Sequence, residues 1–599
     1  QAGGDVLITS AANAKSSEYR YRRSGKKVNQ ENSQTRQQAV VLEAGGNIAL
    51  SADNDLNIIA SEVKAANNVS LAAGQDVHIL SDTDESASFY SKKSKGSFGR
   101  SKSKQQESYD STNVASVIDA GNNLTINTRI TDVGGLSLEG GRNVTVIGSQ
   151  LNAGHDLLVG ATNDIAVLSG VEEHGSYSKK TKSGFLGFSK SGKSQLKTTA
   201  TQVGSELSAA NDVVLVAGKD LGLRASTVDA AKDVELRAGL LDSTGDINLL
   251  SANNQAYSLT ERYRKKIGLS VSDSMLSFAS AKKAGQAAQA TTSVGSQVSA
   301  EGDASLQAER DINIVGSGVS AGGHLLLDAG RDVQVVATQN QQATNTWQRE
   351  RRSGIAVGSD RNGFTAFAGN DTQIDKRWDT QQTAAASQLN AGLDLDVYAG
   401  RDVGLAGSDL IAGRDINLAA ERNIQLDAAS EQRLQRQEET SQRTGLTVNI
   451  SHNAGNTLDA VKDIGRGDNA ISKVSSVLKA ADSVTQFVSG PTTAEHLGTT
   501  RQQTTTIEGI QSYRESTLDA GRDINLQAGQ DVEARGTRIN SQRDINIAGQ
   551  NITLDVARGQ HTQNVEQTLS QSGINGGTTF NSARVGIGGS HGTQTEEGG

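Results

Sequence analysis

Apolar residues recur at every second position in short bursts along this chain, and each burst follows an Asp or Asn. Ile48-Ala49-Leu50 follows Asn47, Leu56-Asn57-Ile58 follows Asp55, Val69-Ser70-Leu71 follows Asn68, and Val77-His78-Ile79 follows Asp76. A period of two predicts short half-buried strands rather than helices. The Asp/Asn positions step by 8, 13 and 8 residues here. Asp394, Asp402, Asp415 and Asn423 repeat those steps, and Asp523, Asp531 and Asp544 begin them again. The unit is thus 8 + 13 = 21 residues with two turns, and a third strand fits its longer arm, around Val63, Val228, Val319, Leu410 and Ile539.

Three short strands per 21-residue unit predict coils that cannot bury their apolar face alone and must stack. The expected fold is all-β: a right-handed parallel β-helix, the hand following from the near-universal right-handedness of parallel crossovers. Residue i then lies over residue i+21, with Ile48 on Val69, Leu50 on Leu71, Leu56 on Val77, and Ile524 in one inward column with Ile545. Gly and Asp/Asn punctuate the coil as residues that accept positive φ or bond their own backbone. Asn47, Asp55, Asn68, Asp76, Asp394, Asp402, Asp415, Asp523, Asp531 and Asp544 are read as structural turn positions. About fourteen coils at about 4.8 Å each predict a rod of roughly 65–70 Å.

The solenoid is expected over residues 1–558. Segments near 14–38, 82–116, 172–204, 254–297, 339–387 and 430–516 break its register, and 559–599 is a further hairpin-like insert. They share a grammar: Ser, Thr or Gln around an aromatic and basic cluster, then Gly-hydrophobic alternation. Tyr90-Ser-Lys-Lys-Ser-Lys-Gly-Ser-Phe98 and Tyr263-Arg-Lys-Lys-Ile-Gly-Leu-Ser-Val271 are examples. Their alternation predicts long polar β-hairpins projecting from the rod. One insert carries apolar residues at helical spacing from Ala470 to Val488, closed by Gly490 and Pro491, and predicts an amphipathic helix. Ser274 to Gln289 is a weaker, Ala-rich helix candidate.

Composition supports the ladder. The chain has a single Pro, no Cys and only 3% aromatic residues, so narrow aliphatic columns must make the core and no thiol chemistry is available. No apolar run reaches the length of a membrane span and no signal peptide opens the chain; a start within a repeat reads as a fragment of something longer. The net charge of −9 hides basic inserts: Lys92, Lys93, Lys95, Arg100, Lys102 and Lys104 in one, Lys179, Lys180, Lys182, Lys190, Lys193 and Lys197 in another. Lys92, Lys93, Lys95, Arg100, Lys179, Lys180 and Lys182, with Val474 and Leu478 on the helix, are the candidate membrane or surface contacts. The eight histidines are scattered, without metal-ligand spacing. The Asp columns offer one carboxylate per turn, often replaced by Asn, which suits turn capping better than calcium. Lysines set mainly among serines favour an anionic surface over nucleic acid. No catalytic residue, metal site or cofactor is expected.

The phrase Ala-Gly-x-[Asp/Asn]-[Ile/Val/Leu]-x-[Leu/Ile], as in Ala520 to Leu526, its paired 8-residue echo and the hairpin inserts resemble the haemagglutinin repeats of filamentous-haemagglutinin-like exoproteins, from Ala2 to about Val556. They look most like the second repeat region of contact-dependent growth inhibition effectors. That resemblance implies a non-enzymatic region of a secreted protein at the bacterial cell surface or outer membrane, retained in the periplasm before delivery. It implies a two-partner-secretion outer-membrane transporter, a target-cell outer membrane or its lipopolysaccharide, and a cell-surface receptor engaged elsewhere. The region would help carry a C-terminal toxin across the target outer membrane. These residues include no secretion domain, pretoxin motif or toxin domain, so the resemblance places no catalytic residue. An adhesin for host cells or biofilm is the alternative, and a polysaccharide-active β-helix enzyme a distant third that would need acids clustered outside the turns.

Overall fold

The computed structural model describes residues 1–130, 136–138, 141–240, 244–272, 275–360, 363–451, 493–579 and 582–598. The chain winds through three parallel sheets in strict rotation. Sheet one takes Val41–Ala44, Glu62–Ala65 and Val117–Ala120 onward; sheet two takes Ile48–Ala52, Val69–Ala73 and Leu124–Ile126; sheet three takes Leu56–Ile59, Asp76–Leu80 and Asn143–Ile147. The sheets hold twelve, twelve and thirteen strands. Twelve steps of about 4.8 Å make a rod of about 58 Å. It is one coil shorter than the expected fourteen, because the chain leaves the rod as a hairpin after Asn551–Asp555.

Register follows the 21-residue rule where no insert intervenes, except that Val532 pairs with Ile552, 20 residues on, in the last coil. Ile48 pairs with Val69, Leu50 with Leu71, and Leu56 with Val77. Where an insert intervenes the column resumes on its far side: Ile416 pairs with Ile524 across 108 residues. The inward side chains form one continuous core, in which Leu56, Ile126, Leu215, Ile312 and Ile416 are fully buried. Each column removes apolar surface from water at roughly 25 cal/mol per Å². Ile524 and Ile545 share a column, but Ile545 lies in the last coil with nothing stacked above it and is 47% exposed.

The glycine of the repeated Ala-Gly phrase has another role than the expected one. Gly74, Gly121, Gly392, Gly413 and Gly521 are not in the left-handed region. A Cβ on any of them would instead overlap the carbonyl oxygen of an adjacent coil, that of Asp53, Ala66, Gly322, Gly392 and Gly413 respectively. Close stacking excludes the side chain. Positive φ is used at the corner from sheet three to sheet one, by Ala60, Gly148, Ala225, Gly316, Gly407 and Gly536.

That corner alternates between two forms. In one coil it is a two-residue bend such as Ala60-Ser61 or Gly316-Ser317; in the next it opens into a long hairpin. Seven hairpins leave this way: Ala11–Arg23 with Lys26–Gln38, Asp82–Lys95 with Ser101–Val114, Gly170–Ser183 with Ser189–Val203, Ala252–Ser272 with Met275–Val294, Thr338–Asp360 with Gly363–Ala385, Ala429–Ser451 with Thr493–Arg514, and Gln560–Thr579 with Ser582–Gly598. They do not project separately. Each pairs with the next, and all fourteen strands form one antiparallel sheet along the rod. The spacing explains this: two coils advance the rod by about 9.6 Å, and one two-stranded hairpin occupies the same width. A hairpin every second coil is therefore commensurate with the solenoid. We call this sheet the fin. Its arms lengthen from 13 to 23 residues, about 44 to 78 Å, and shorten again to 17 in the last hairpin.

The Ala-rich helix candidate from Ser274 is corrected here. Met275–Val294 is a strand paired on both sides, with Ala252–Ser272 and Thr338–Asp360, and two ladders of backbone hydrogen bonds outweigh alanine's weak helical preference. The expected helix 470–488, with Val474 and Leu478, lies outside the described residues.

Candidate contact surface

Three ladders fix the corners of the coil, one of them at the corner that carries the fin. At most turns before sheets two and three, the side-chain oxygen of the Asp or Asn accepts from the backbone N–H of its counterpart one coil on, not from its own turn. Asn47 accepts from Asn68 N–H at 3.1 Å, Asp55 from Asp76 at 3.1 Å, Asp394 from Asp415 at 3.2 Å, and Asp415 from Asp523 at 3.1 Å. A single neutral acceptor suffices, which is why Asn and Asp alternate. The variable x of the Ala-Gly-x-Asp phrase supplies a second tie. Arg414 reaches back to Asp394 and Arg522 to Asp415 with two bonds each, and Arg331, Arg401 and Arg543 do the same to Asp311, Asp332 and Asp523. In earlier coils an amide replaces the guanidinium, as Asn122 donates to Asn68 and Asn211 to Asp156. The Arg522 hydrogen bond holds the Asp415 carboxyl below the usual carboxylate range, and Arg543 does the same for Asp523.

At the hairpin corner runs a buried serine ladder that the hydrophobic pattern did not single out. Ser61, Ser116, Ser149, Ser205, Ser226, Ser296, Ser317, Ser387, Ser408 and Ser516 are all at most 2% exposed. After a short bend the hydroxyl donates to the carbonyl two residues back, as Ser226 to Arg224 at 3.0 Å. After a hairpin it donates to the carbonyl that preceded the insertion, as Ser116 to Leu80 at 2.7 Å and Ser387 to Val336 at 2.7 Å. It thereby closes the coil beneath the fin. The readable signal was Ser following Gly or Ala at the short bends, as in Gly148-Ser149, Gly316-Ser317 and Gly407-Ser408.

The fin presents two faces. Strand alternation divides the candidate cations between them: Lys92, Lys180 and Lys182 lie on one, Lys93, Lys95 and Lys179 on the other. Arg100 lies at a hairpin tip, where Phe98 meets Phe185 of the next hairpin with ring centroids 5.4 Å apart. On the Lys93 face, aromatic rings cover glycines of the neighbouring strand, Tyr263 over Gly192 and Trp347 over Gly285. Farther out, a row of glycines crosses six strands: Gly354, Gly369, Gly445, Gly498, Gly573 and Gly588. Beside it runs an aliphatic row of Ile355, Leu446, Leu497 and Ile574, each 42–54% exposed. This is the physical content of the Gly-hydrophobic alternation, and its residues were not among the candidate contacts. Among the described residues, no three His, Cys, Asp or Glu side chains are grouped to hold a metal.

The model of the family described as "Hemagglutinin repeat" matches residues 21–101, 96–239, 186–291, 276–373, 368–493 and 497–599. The chain is 23% identical over 441 residues to the tRNA nuclease CdiA-2 of Burkholderia pseudomallei (strain 1026b), covering 70% of this chain and 14% of that protein. It is 26% identical over 485 residues to the deoxyribonuclease CdiA of Dickeya dadantii (strain 3937), covering 76% and 14%. With the 16S rRNA endonuclease CdiA of Enterobacter cloacae it shares 24% identity over 321 residues, 48% and 8% of the two chains. The chain thus spans less than a quarter of the length of the curated relatives it matches. No solved structure matches it.

Proposed function

The chain belongs to the hemagglutinin-repeat family, and on that premise we propose that it is the non-enzymatic repeat region of a two-partner-secretion exoprotein of contact-dependent growth inhibition, acting in the delivery of a C-terminal toxin across the target-cell outer membrane. The observation that carries this reading is the tiling of the repeat over nearly the whole chain together with relatives that are all CdiA proteins. The nuclease activities in those relatives' names are theirs. The similarity lies in coils and hairpins, and the coils' Asp carboxylates are engaged in turn ladders.

Rod and fin divide the labour in this reading. The rod spans distance, and the fin offers a broad sheet with lysines on the outer part of its earlier, shorter hairpins and an exposed aliphatic row on its later, longer ones. Cations draw the fin to an anionic envelope at up to about 1 kcal/mol each, and the aliphatic row adds apolar contact. An in-frame deletion of this region from the full-length protein separates the readings in coculture. Delivery predicts that cells still attach to their targets but no longer inhibit them. Loss of attachment supports the adhesin reading, and inhibition at the parental level overturns both. Flotation with lipopolysaccharide-containing vesicles, at low and high salt, tests the envelope contact; no binding at low salt removes it.

A further inference from the structure

Cross-strand register sets five cations in one line across five adjacent strands of the fin. Lys92 is opposite Lys104, Lys104 opposite Lys180, Lys180 opposite Lys193, and Lys193 opposite Arg262. At about 4.8 Å per strand the line runs about 19 Å. Two residues farther out on the same face, Lys26, Lys102, Lys182, Arg264 and Lys282 form a second line interrupted only by Ser94 and Ser191. From Ser88 outward, this face of the five strands carries no carboxylate. Among the described residues, none of the five in-line cations has an ion-pair partner. Like charges directly opposed destabilise a sheet, so the arrangement costs stability in the isolated molecule.

Next to the cation line, on its rod side, lies a third line of different chemistry: Tyr19, Gln30, Tyr90, Gln106, Ser178, Gln195 and Thr260. Tyr19 is 56% exposed, and the Lys104 ammonium sits 5.3 Å from the centre of the Tyr90 ring. Farther along the cross-strand cation line, on later strands of the fin, the sign reverses at Asp375 opposite Glu439, where burial and then the Glu439 charge raise the Asp375 carboxyl's pKa. The positive track is therefore bounded.

We propose that this face is a binding track for a linear acidic polysaccharide, lying across the strands with its carboxylates or sulfates on the two cation lines and its rings and hydroxyls against the tyrosine, amide and hydroxyl line. A pyranose ring advances its chain by about one strand spacing, so a polymer with one anion per sugar matches successive cations. Amides and hydroxyls suit sugar hydroxyls, whereas single-stranded nucleic acid needs an aromatic platform for successive bases, and beyond Tyr90 this line has none. The inference goes beyond the delivery reading and does not depend on it.

The test uses the full 599-residue chain and polygalacturonate, which has no lipid, with dextran as the neutral control. One variant, Lys104→Gln/Lys180→Gln/Lys193→Gln, interrupts the line. Its control, Lys93→Gln/Lys179→Gln/Lys283→Gln, removes equal charge from the opposite face. The track predicts salt-sensitive binding of polygalacturonate but not dextran, weakened about ten- to hundredfold in the line variant and under about twofold in the control. The line variant should melt no lower than the parent, because it removes opposed like charges. No binding at low salt, or equal losses in the two variants, overturns the proposal. Binding of single-stranded DNA at least as tight as polygalacturonate, and equally lost in the line variant, overturns it in favour of a nucleic-acid partner.

Discussion

Replacing Ile416 by Asp places a carboxyl in the middle of a closed aliphatic column. Ile416 is fully buried, with Leu395 paired on one side and Ile524 on the other. Among the described residues no Lys or Arg is buried in the core, so the new carboxyl must take up a proton to stay folded. Holding an acid of ordinary pKa about 3.9 neutral at pH 7 costs about 3 units of 1.36 kcal/mol, roughly 4 kcal/mol. Loss of the buried isoleucine adds roughly 2–3 kcal/mol. The folded pKa is raised above the unfolded one, so the charge penalty is complete at pH 7 and disappears as pH falls to about 4. Ile416→Asn carries the second cost without the pH dependence. Hydrogen exchange resolved by coil is the assay. Leu395–Ala399 and Ile524–Ala528 should lose protection first, while Ile48–Ala52, many coils away, keeps it, because each coil contacts only its neighbours. Equal behaviour of the Asp and Asn variants at pH 7, or uniform loss along the rod, would refute the reasoning.

Ser226→Ala removes a hydroxyl that donates to Arg224 and accepts from Ser205 N–H at 3.2 Å in a buried corner. It should cost about 1–3 kcal/mol in denaturant unfolding, against nearly nothing for an exposed serine such as Ser101. Acid should loosen the later coils first. Asp415 and Asp523 have folded pKa values lowered by Arg522 and Arg543, so their contribution is present above the unfolded carboxylate range and is lost as pH falls below it. Coils turned by Asn47, Asn68 and Asn123 should keep exchange protection longer, and equal loss in both regions would count against the ladder. Gly413→Ala should destabilise although its φ suits alanine, since the new methyl meets the Gly392 carbonyl; unchanged melting would mean the stacking is looser than described.

The solenoid was legible because a strict period-two burst every 8 and 13 residues has few other packings. What escaped was whatever depends on contacts between coils. Asp and Asn read as caps of their own turns, yet their acceptors face the next coil's N–H, a relation between residues 21 or 108 positions apart. The x of Ala-Gly-x-Asp looked unconstrained because Arg and Asn meet the same need with different chemistry. The fin was the largest omission. Blocks of two coils between inserts already held the match between two coils and one hairpin, but pairing such as Lys104 with Lys180 appears only once the rod sets the hairpins side by side. For the same reason six of the candidate surface cations fell on two faces and Arg100 at a tip, and Lys104, Lys193 and Arg262, which complete the line, came from three different strands.

Neighbouring hairpins are strands of one sheet, and the absence of cysteine from the chain permits a direct test. Ser103 and Thr181 belong to successive hairpins and face each other with their hydroxyl oxygens 2.6 Å apart; Ser88 and Ser108 do so within one hairpin at 2.8 Å. Cysteine pairs at the two places should close under mild oxidation at comparable rates and yields, since both satisfy the short Cβ separation a disulfide requires. Read by mass spectrometry after proteolysis, closure at Ser103→Cys/Thr181→Cys is the predicted result. A pair that stays reduced there, while Ser88→Cys/Ser108→Cys closes, would show hairpins standing apart and contradict the fin.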